Sequence, residues 1–218
     1  MSYIAIGRSG DNITVMMLFV AFVIPILTIA VPVYWIGLVK REPLRSLGLT
    51  LRHWPPAILL GVALSSLEVA QVVNGRGPVA PANLWMPQAV AGAVSLWEPL
   101  FVFGWLQLRF EKDFGILPGI LMASACFALY HVGFGSVNMM VGQFFSAIAY
   151  ATVFRLVTSL LVVWPLLWAA SSARICIGDN FCFFDWSSAT FMTFLFLVEI
   201  TFVAAVAYRQ RLTARRLA

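Results

Sequence analysis

Apolar residues run through this chain in long stretches broken by short polar connectors. The stretches approach the roughly 20 residues that a helix needs to cross a bilayer. The first covers about Ile13 to Val39 and holds Pro25 and Pro32, which predict kinks. The second, about Ala57 to Val73, carries Glu68, and the third, about Gln88 to Leu108, carries Glu98. The fourth runs from about Ile116 to Phe134 and contains His131. From Met139 to Ser172 the chain stays apolar except at Arg155, too far for one span, so two helices should meet near Arg155. The last segment, about Ser188 to Tyr208, carries Glu199. None of these runs alternates with the period of two that a transmembrane barrel requires. Because backbone amides in lipid must be satisfied within the segment, helices remain.

Composition agrees. Of 218 residues, 61% are hydrophobic and 11% charged, against about 25% charged in an ordinary soluble domain. The mean hydropathy is +0.92. The expected fold is therefore all-α: a polytopic integral membrane helix bundle of about seven transmembrane segments, a single domain over residues 1–218. The net charge of +5 is not read as a nucleic-acid footprint, since the basic residues fall between and after the apolar segments. With the N-terminus outside, the Lys40–Arg52 connector, the Arg109–Asp113 connector, Arg155 and the Arg-rich tail all fall on the cytoplasmic side. The N-terminus lacks a basic region and a small-residue cleavage site, so no removable signal peptide is expected.

The loop with Cys176 and Cys182 would lie outside, where a disulfide is permitted but not required; two free thiols are the alternative. No Cys/His cluster suggests a metal, and no cofactor is expected.

The chemistry lies in the intramembrane polar residues. A charge at the bilayer centre costs about 3 kcal/mol or more, so an acid there needs a partner or a task. Glu68 is close enough to its segment end to reach the interface. Arg155 is expected to snorkel to headgroups, Glu199 to bond a neighbouring helix, and His53 to be solvated. Glu98 and His131 stand apart because they lie on consecutive, antiparallel segments. Counting from a connector that begins at Arg109, their depths differ by roughly 8 Å on straight helices. If they meet, a buried carboxylate beside an imidazole can activate water. The plainer alternative is a structural hydrogen bond between two helices.

The run Glu98-Pro-Leu-Phe-Val-Phe-Gly-Trp-Leu-Gln resembles the first motif, Glu-Glu-x-x-x-Arg, of the CPBP intramembrane proteases, which include CAAX prenyl endopeptidases and bacteriocin-processing or abortive-infection proteins. Phe127-Ala-Leu-Tyr-His131 matches their second motif, Phe-x-x-x-His. Arg41-Glu-Pro-Leu-Arg45-Ser-Leu-Gly48-Leu resembles the linker after the first helix. Trp164-Pro165-Leu-Leu-Trp168-Ala-Ala-Ser-Ser172 has the setting of the third motif, His-x-x-x-Asn/Asp. The likeness covers about residues 40–172. It implies that Glu98 and His131 activate water, that Phe127 supports them, and that positions 168 and 172 stabilise an oxyanion.

Four marker positions differ. Pro99 replaces the second Glu, Phe103 the Arg, Trp168 the third-motif His and Ser172 its Asn. Losing one oxyanion donor costs about 3–4 kcal/mol, so two losses would slow cleavage by orders of magnitude. Ser172, Trp168 or Asn138 can each donate a substitute hydrogen bond.

Two readings follow. One is a degenerate protease-like bundle that binds a membrane-embedded peptide or protein partner. The other is an active glutamate-dependent endopeptidase cutting a membrane or prenylated peptide. Both imply contact with membrane lipid, no nucleic acid, and residence in a bacterial inner (plasma) membrane. A transporter using Glu68, Glu98 and Glu199 is less favoured, because no inverted repeat or pair of broken helices stands out.

Overall fold

The computed structural model describes residues 23–52, 54–76, 82–132, 137–178 and 184–217. Every regular element among them is helical. The chain runs through α1 (Pro25–Val39), a 3-10 turn (Leu44–Leu47), α2 (Trp54–Arg76), α3 (Ala82–Ala93), α4 (Trp97–Phe114), α5 (Ile116–Tyr130), α6 (Val137–Val157), α7 (Leu160–Gly178) and α8 (Trp186–Leu217).

Among the described residues, three helices, α2, α6 and α8, are long and apolar enough to cross a membrane; α3 and α4, bent by 42° at their junction, count as a fourth if they form one span. Three further apolar helices, Pro25–Val39, Ile116–Tyr130 and Leu160–Ala169, are shorter. Only 17–22% of the three long spans is buried within the chain. Their outer faces carry Leu59, Leu67, Phe145, Phe194 and Leu197 uncovered, as lipid would require.

The expected third segment is not one continuous helix. It breaks at Val94–Leu96, where the Ser95 hydroxyl donates to the Ala91 carbonyl and the Ser95 N–H to Gly92. Pro99 then sits in the first turn of α4, where its missing N–H is no loss. From Leu100 to Gln107 the turns widen to π-helical geometry. α4 packs against α1, α5, α6, α7 and the linker turn. Its buried face, Leu100, Val102, Phe103 and Gln107, meets a core of Ile29, Val33, Phe127, Phe154 and Val163.

Two glycines set close approaches. A Cβ on Gly61 would stand 2.6 Å from the Val162 carbonyl oxygen, so Gly61 lets α2 lie against α7, its most extensive partner. A Cβ on Gly104 would collide with the Leu47 carbonyl, so Gly104 seats the linker turn on α4.

The long apolar run divides as expected: α6 ends at Val157, Thr158 adopts a left-handed φ of 53°, and α7 begins at Leu160. The Leu160 N–H donates to Gly48 of the linker. Arg155, expected to reach headgroups, also has a partner within the chain. Its Nε is 3.1 Å from Glu111 Oε2, because α4 extends past Arg109 and carries Glu111 alongside α6. Arg109 lies 3.8 Å from Glu42 and stacks over Trp105. Gln210 Nε2 donates to the Gly37 and Glu42 carbonyls. The linker, the α4 terminus, the α6–α7 break and the start of the tail thus gather at one end of the bundle.

Cys176 is buried and disulfide-bonded, while Cys126 is free. Cys182 and His53 lie outside the described residues, as does the part of the expected first segment before Val23.

Candidate functional site

Glu98 lies in the first turn of α4, just past the bend. It therefore occupies a helix N-terminus, where the unpaired amides and the helix dipole favour a negative group. In a continuous helix it would have faced lipid or a neighbour without that compensation. Its side chain is partly buried.

His131 caps α5 at φ −81°, ψ 1°, where the helix ends. Its depth is corrected by the course of α4. That helix runs on to Phe114, and Gly115, at φ 91°, turns the chain directly into α5. Glu98 is then 16 residues before the turn and His131 15 beyond Ile116. At 1.5 Å per residue these are about 24 and 22 Å from the α4–α5 turn. The expected depth gap closes.

The two side chains nonetheless form no hydrogen bond or ion pair with each other. His131 Nδ1 lies 2.8 Å from the Phe127 carbonyl oxygen, one turn earlier on its own helix. A carbonyl only accepts, so Nδ1 carries the proton and the neutral ring keeps Nε2 as an acceptor. The imidazole stacks on Tyr130 at 4.1 Å between ring centres and tilts against Phe127 at 5.1 Å. Tyr130 in turn meets Trp97 edge-on at 5.9 Å. The link between Glu98's turn and His131 is thus aromatic: Trp97, Tyr130, imidazole.

Phe127, 3% exposed, is the hub of this cluster, with Phe103, Tyr130, His131 and Tyr150 around it. Phe103 stands where the resembled motif has Arg. It is fully buried between Phe127 and Phe154 rings at 6.2 and 6.3 Å. A guanidinium there would be desolvated among these rings. Pro99, at the second-Glu position, is also buried.

The proposed oxyanion donors are dispersed. The Trp168 indole N–H donates to the Ala89 carbonyl, joining α7 to α3. Asn138 is exposed near the start of α6. Ser172 belongs to α7, and its side chain lies outside the described residues.

Sequence reasoning missed one polar contact close to this cluster. Glu68 does not simply reach the interface: the Tyr150 hydroxyl donates to its carboxylate at 3.1 and 3.3 Å, tying α2 to α6. The Tyr150 ring also meets Phe127 edge-on at 6.5 Å. The available signal was the acid itself, since a carboxylate in an apolar segment requires a donor on another helix. Glu199 is buried, at 8% exposure, on α8, and no hydrogen bond to it is found among the described residues, in contrast to the expected helix–helix bond. No group of three His, Cys, Asp or Glu side chains able to hold a metal occurs among the described residues.

Two apolar grooves flank α8, of about 410 Å³ beside Val90, Trp186 and Phe194 and about 320 Å³ beside Tyr34, Trp35 and Phe202; neither is lined by Glu98 or His131. No protein-family model, curated protein or solved structure matches this chain at a significant level.

Proposed function

We propose that this chain is a CPBP-like membrane bundle that has lost peptide cleavage and acts by binding a membrane-embedded peptide or protein partner. The observation that carries this reading is the unjoined pair. Glu98 and His131 reach the same depth on adjoining helices, yet the imidazole is held by the Phe127 carbonyl and the Tyr130 ring rather than by the carboxylate. Two further features agree. The Trp168 N–H is spent on Ala89, and an apolar Phe103 fills the place of the resembled motif's Arg. The uncovered apolar faces of the long spans leave room for a helix partner.

The bundle is taken to comprise seven spans: the three long helices, the bent pair and the three shorter apolar ones. It sits in a bacterial inner membrane with the N-terminus outside and the basic connectors in the cytoplasm. The gathering of those connectors at one end supports this orientation.

The second reading, an active glutamate-dependent endopeptidase, rests on the free Nε2 of the His131 tautomer. It can accept a proton from a water lying between His131 and Glu98.

Complementation separates the two. In a strain lacking the gene, Glu98→Gln and His131→Ala are expected to restore the lost phenotype at normal protein levels. If both fail while Trp97→Phe succeeds, the binding reading gives way to the protease.

A further inference from the structure

The basic end of the bundle is not uniformly neutralised. The carboxylate of Glu42 is taken by Arg109, and that of Glu111 by Arg155. Lys40, Arg41, Arg45, Arg209 and Arg211 are all exposed, and none forms an ion pair among the described residues. They are drawn to one corner by a specific tether. Gln210 donates from α8 to the carbonyls of Gly37, at the end of α1, and of Glu42, in the linker. Arg209 and Arg211 flank Gln210, and Arg41 precedes Glu42. Arg41 itself adopts a left-handed φ of 56°, which turns the chain from α1 into the linker at this corner.

The aromatic residues of the same corner mark its level. Tyr34, Trp35 and Tyr208 are 53%, 43% and 64% exposed at the basic ends of α1 and α8, and Lys40 lies over the Trp35 ring at 5.5 Å. Exposed Trp and Tyr beside unpaired basic residues form the pattern of a headgroup layer.

We propose that the α1–linker–α8 corner is a binding surface for anionic phospholipid, with Lys40, Arg41, Arg45, Arg209 and Arg211 meeting headgroup phosphates. Five unpaired cations complement a phosphodiester surface, and the aromatic side chains sit at the acyl boundary beneath it. The proposal is independent of whether the bundle cleaves or binds peptides.

The test is lipid retention by the purified full-length chain, read by native mass spectrometry, in micelles carrying equal phosphatidylglycerol and phosphatidylcholine. The wild type should retain phosphatidylglycerol preferentially. The preference should fall about fivefold for each charge removed in Arg41→Gln, Arg209→Gln and Arg211→Gln. Lys112→Gln, beside Asp113 in the last turn of α4, should leave it unchanged. Thermal unfolding in phosphatidylcholine alone checks that the variants fold. Should the triple variant not fold, the double Arg209→Gln/Arg211→Gln variant carries the test, and a salt titration of the wild type should abolish the preference. Equal retention of both lipids, or a preference that survives these substitutions or salt, overturns the proposal. So does equal occupancy by soluble glycerol phosphate, which would assign the corner to a free phosphate compound.

Discussion

At the scale of single residues, the intramembrane acids have different lives. Glu98 is placed at a helix N-terminus, Glu68 is bonded by Tyr150, and Glu199 is buried with no hydrogen bond found among the described residues. The Glu68–Tyr150 contact lends itself to a double-mutant cycle. Tyr150→Phe leaves the carboxylate without this donor, and Glu68→Leu leaves the hydroxyl without this acceptor. Each is expected to destabilise the bundle by about 1 kcal/mol, with the double variant clearly less than the sum. Additive losses in reversible unfolding would show that the contact carries no coupling. The presence of an acid in α2 was legible from its apolar surroundings. Its partner was not, because Tyr150 lies 82 positions away and a tyrosine in an apolar run looks like core. Arg155 shows the same limit: the sequence exposes a charge near a helix end, while the choice between headgroup and Glu111 depends on how far α4 extends.

At the scale of elements, most segments were readable from hydropathy alone, including a division of the long run near Arg155, which falls at Thr158 and Ser159. The bend between α3 and α4 was not. Val94, Ser95 and Leu96 are ordinary membrane-helix residues, and the break arises where α3 must follow α7 and α8 while α4 enters the core. That break matters chemically, since it turns Glu98 from a mid-helix acid into an N-terminal one. The start of α8 has a more legible signal. Asp185 accepts the Ser188 N–H and the Ser187 hydroxyl, an N-cap arrangement. The hydrogen bonds from Ser188, then that from Ser187, hold the Asp185 carboxyl at about 2, below its usual 3.8. A lowered native value means that the carboxylate's contribution is complete above the unfolded value and fades as pH drops through about 2. Asp185→Ala should therefore lower the unfolding temperature at pH 7, and the difference from wild type should shrink below pH 4 toward pH 2. A difference that stays constant across that range would refute the cap.

At the scale of the whole molecule, a helical membrane protein was legible because the apolar runs and scarcity of charge leave little else. The gathering of basic connectors at one end was legible too, since alternation of spans puts every second connector on the same side. Whether Glu98 and His131 are joined was not. Their relative depth depends on the length of α4, and the orientation of the His131 ring depends on Phe127 and Tyr130. We propose that this bundle presents the Glu98 and His131 positions without cleaving peptide bonds. The direct measurement is mass-spectrometric detection of peptide cleavage by the purified chain in proteoliposomes, with prenylated and transmembrane peptides, for wild type, Glu98→Gln and His131→Ala. No product is expected from the wild type above the level of either variant. Cleavage by the wild type that both substitutions abolish, with folding intact, would contradict it.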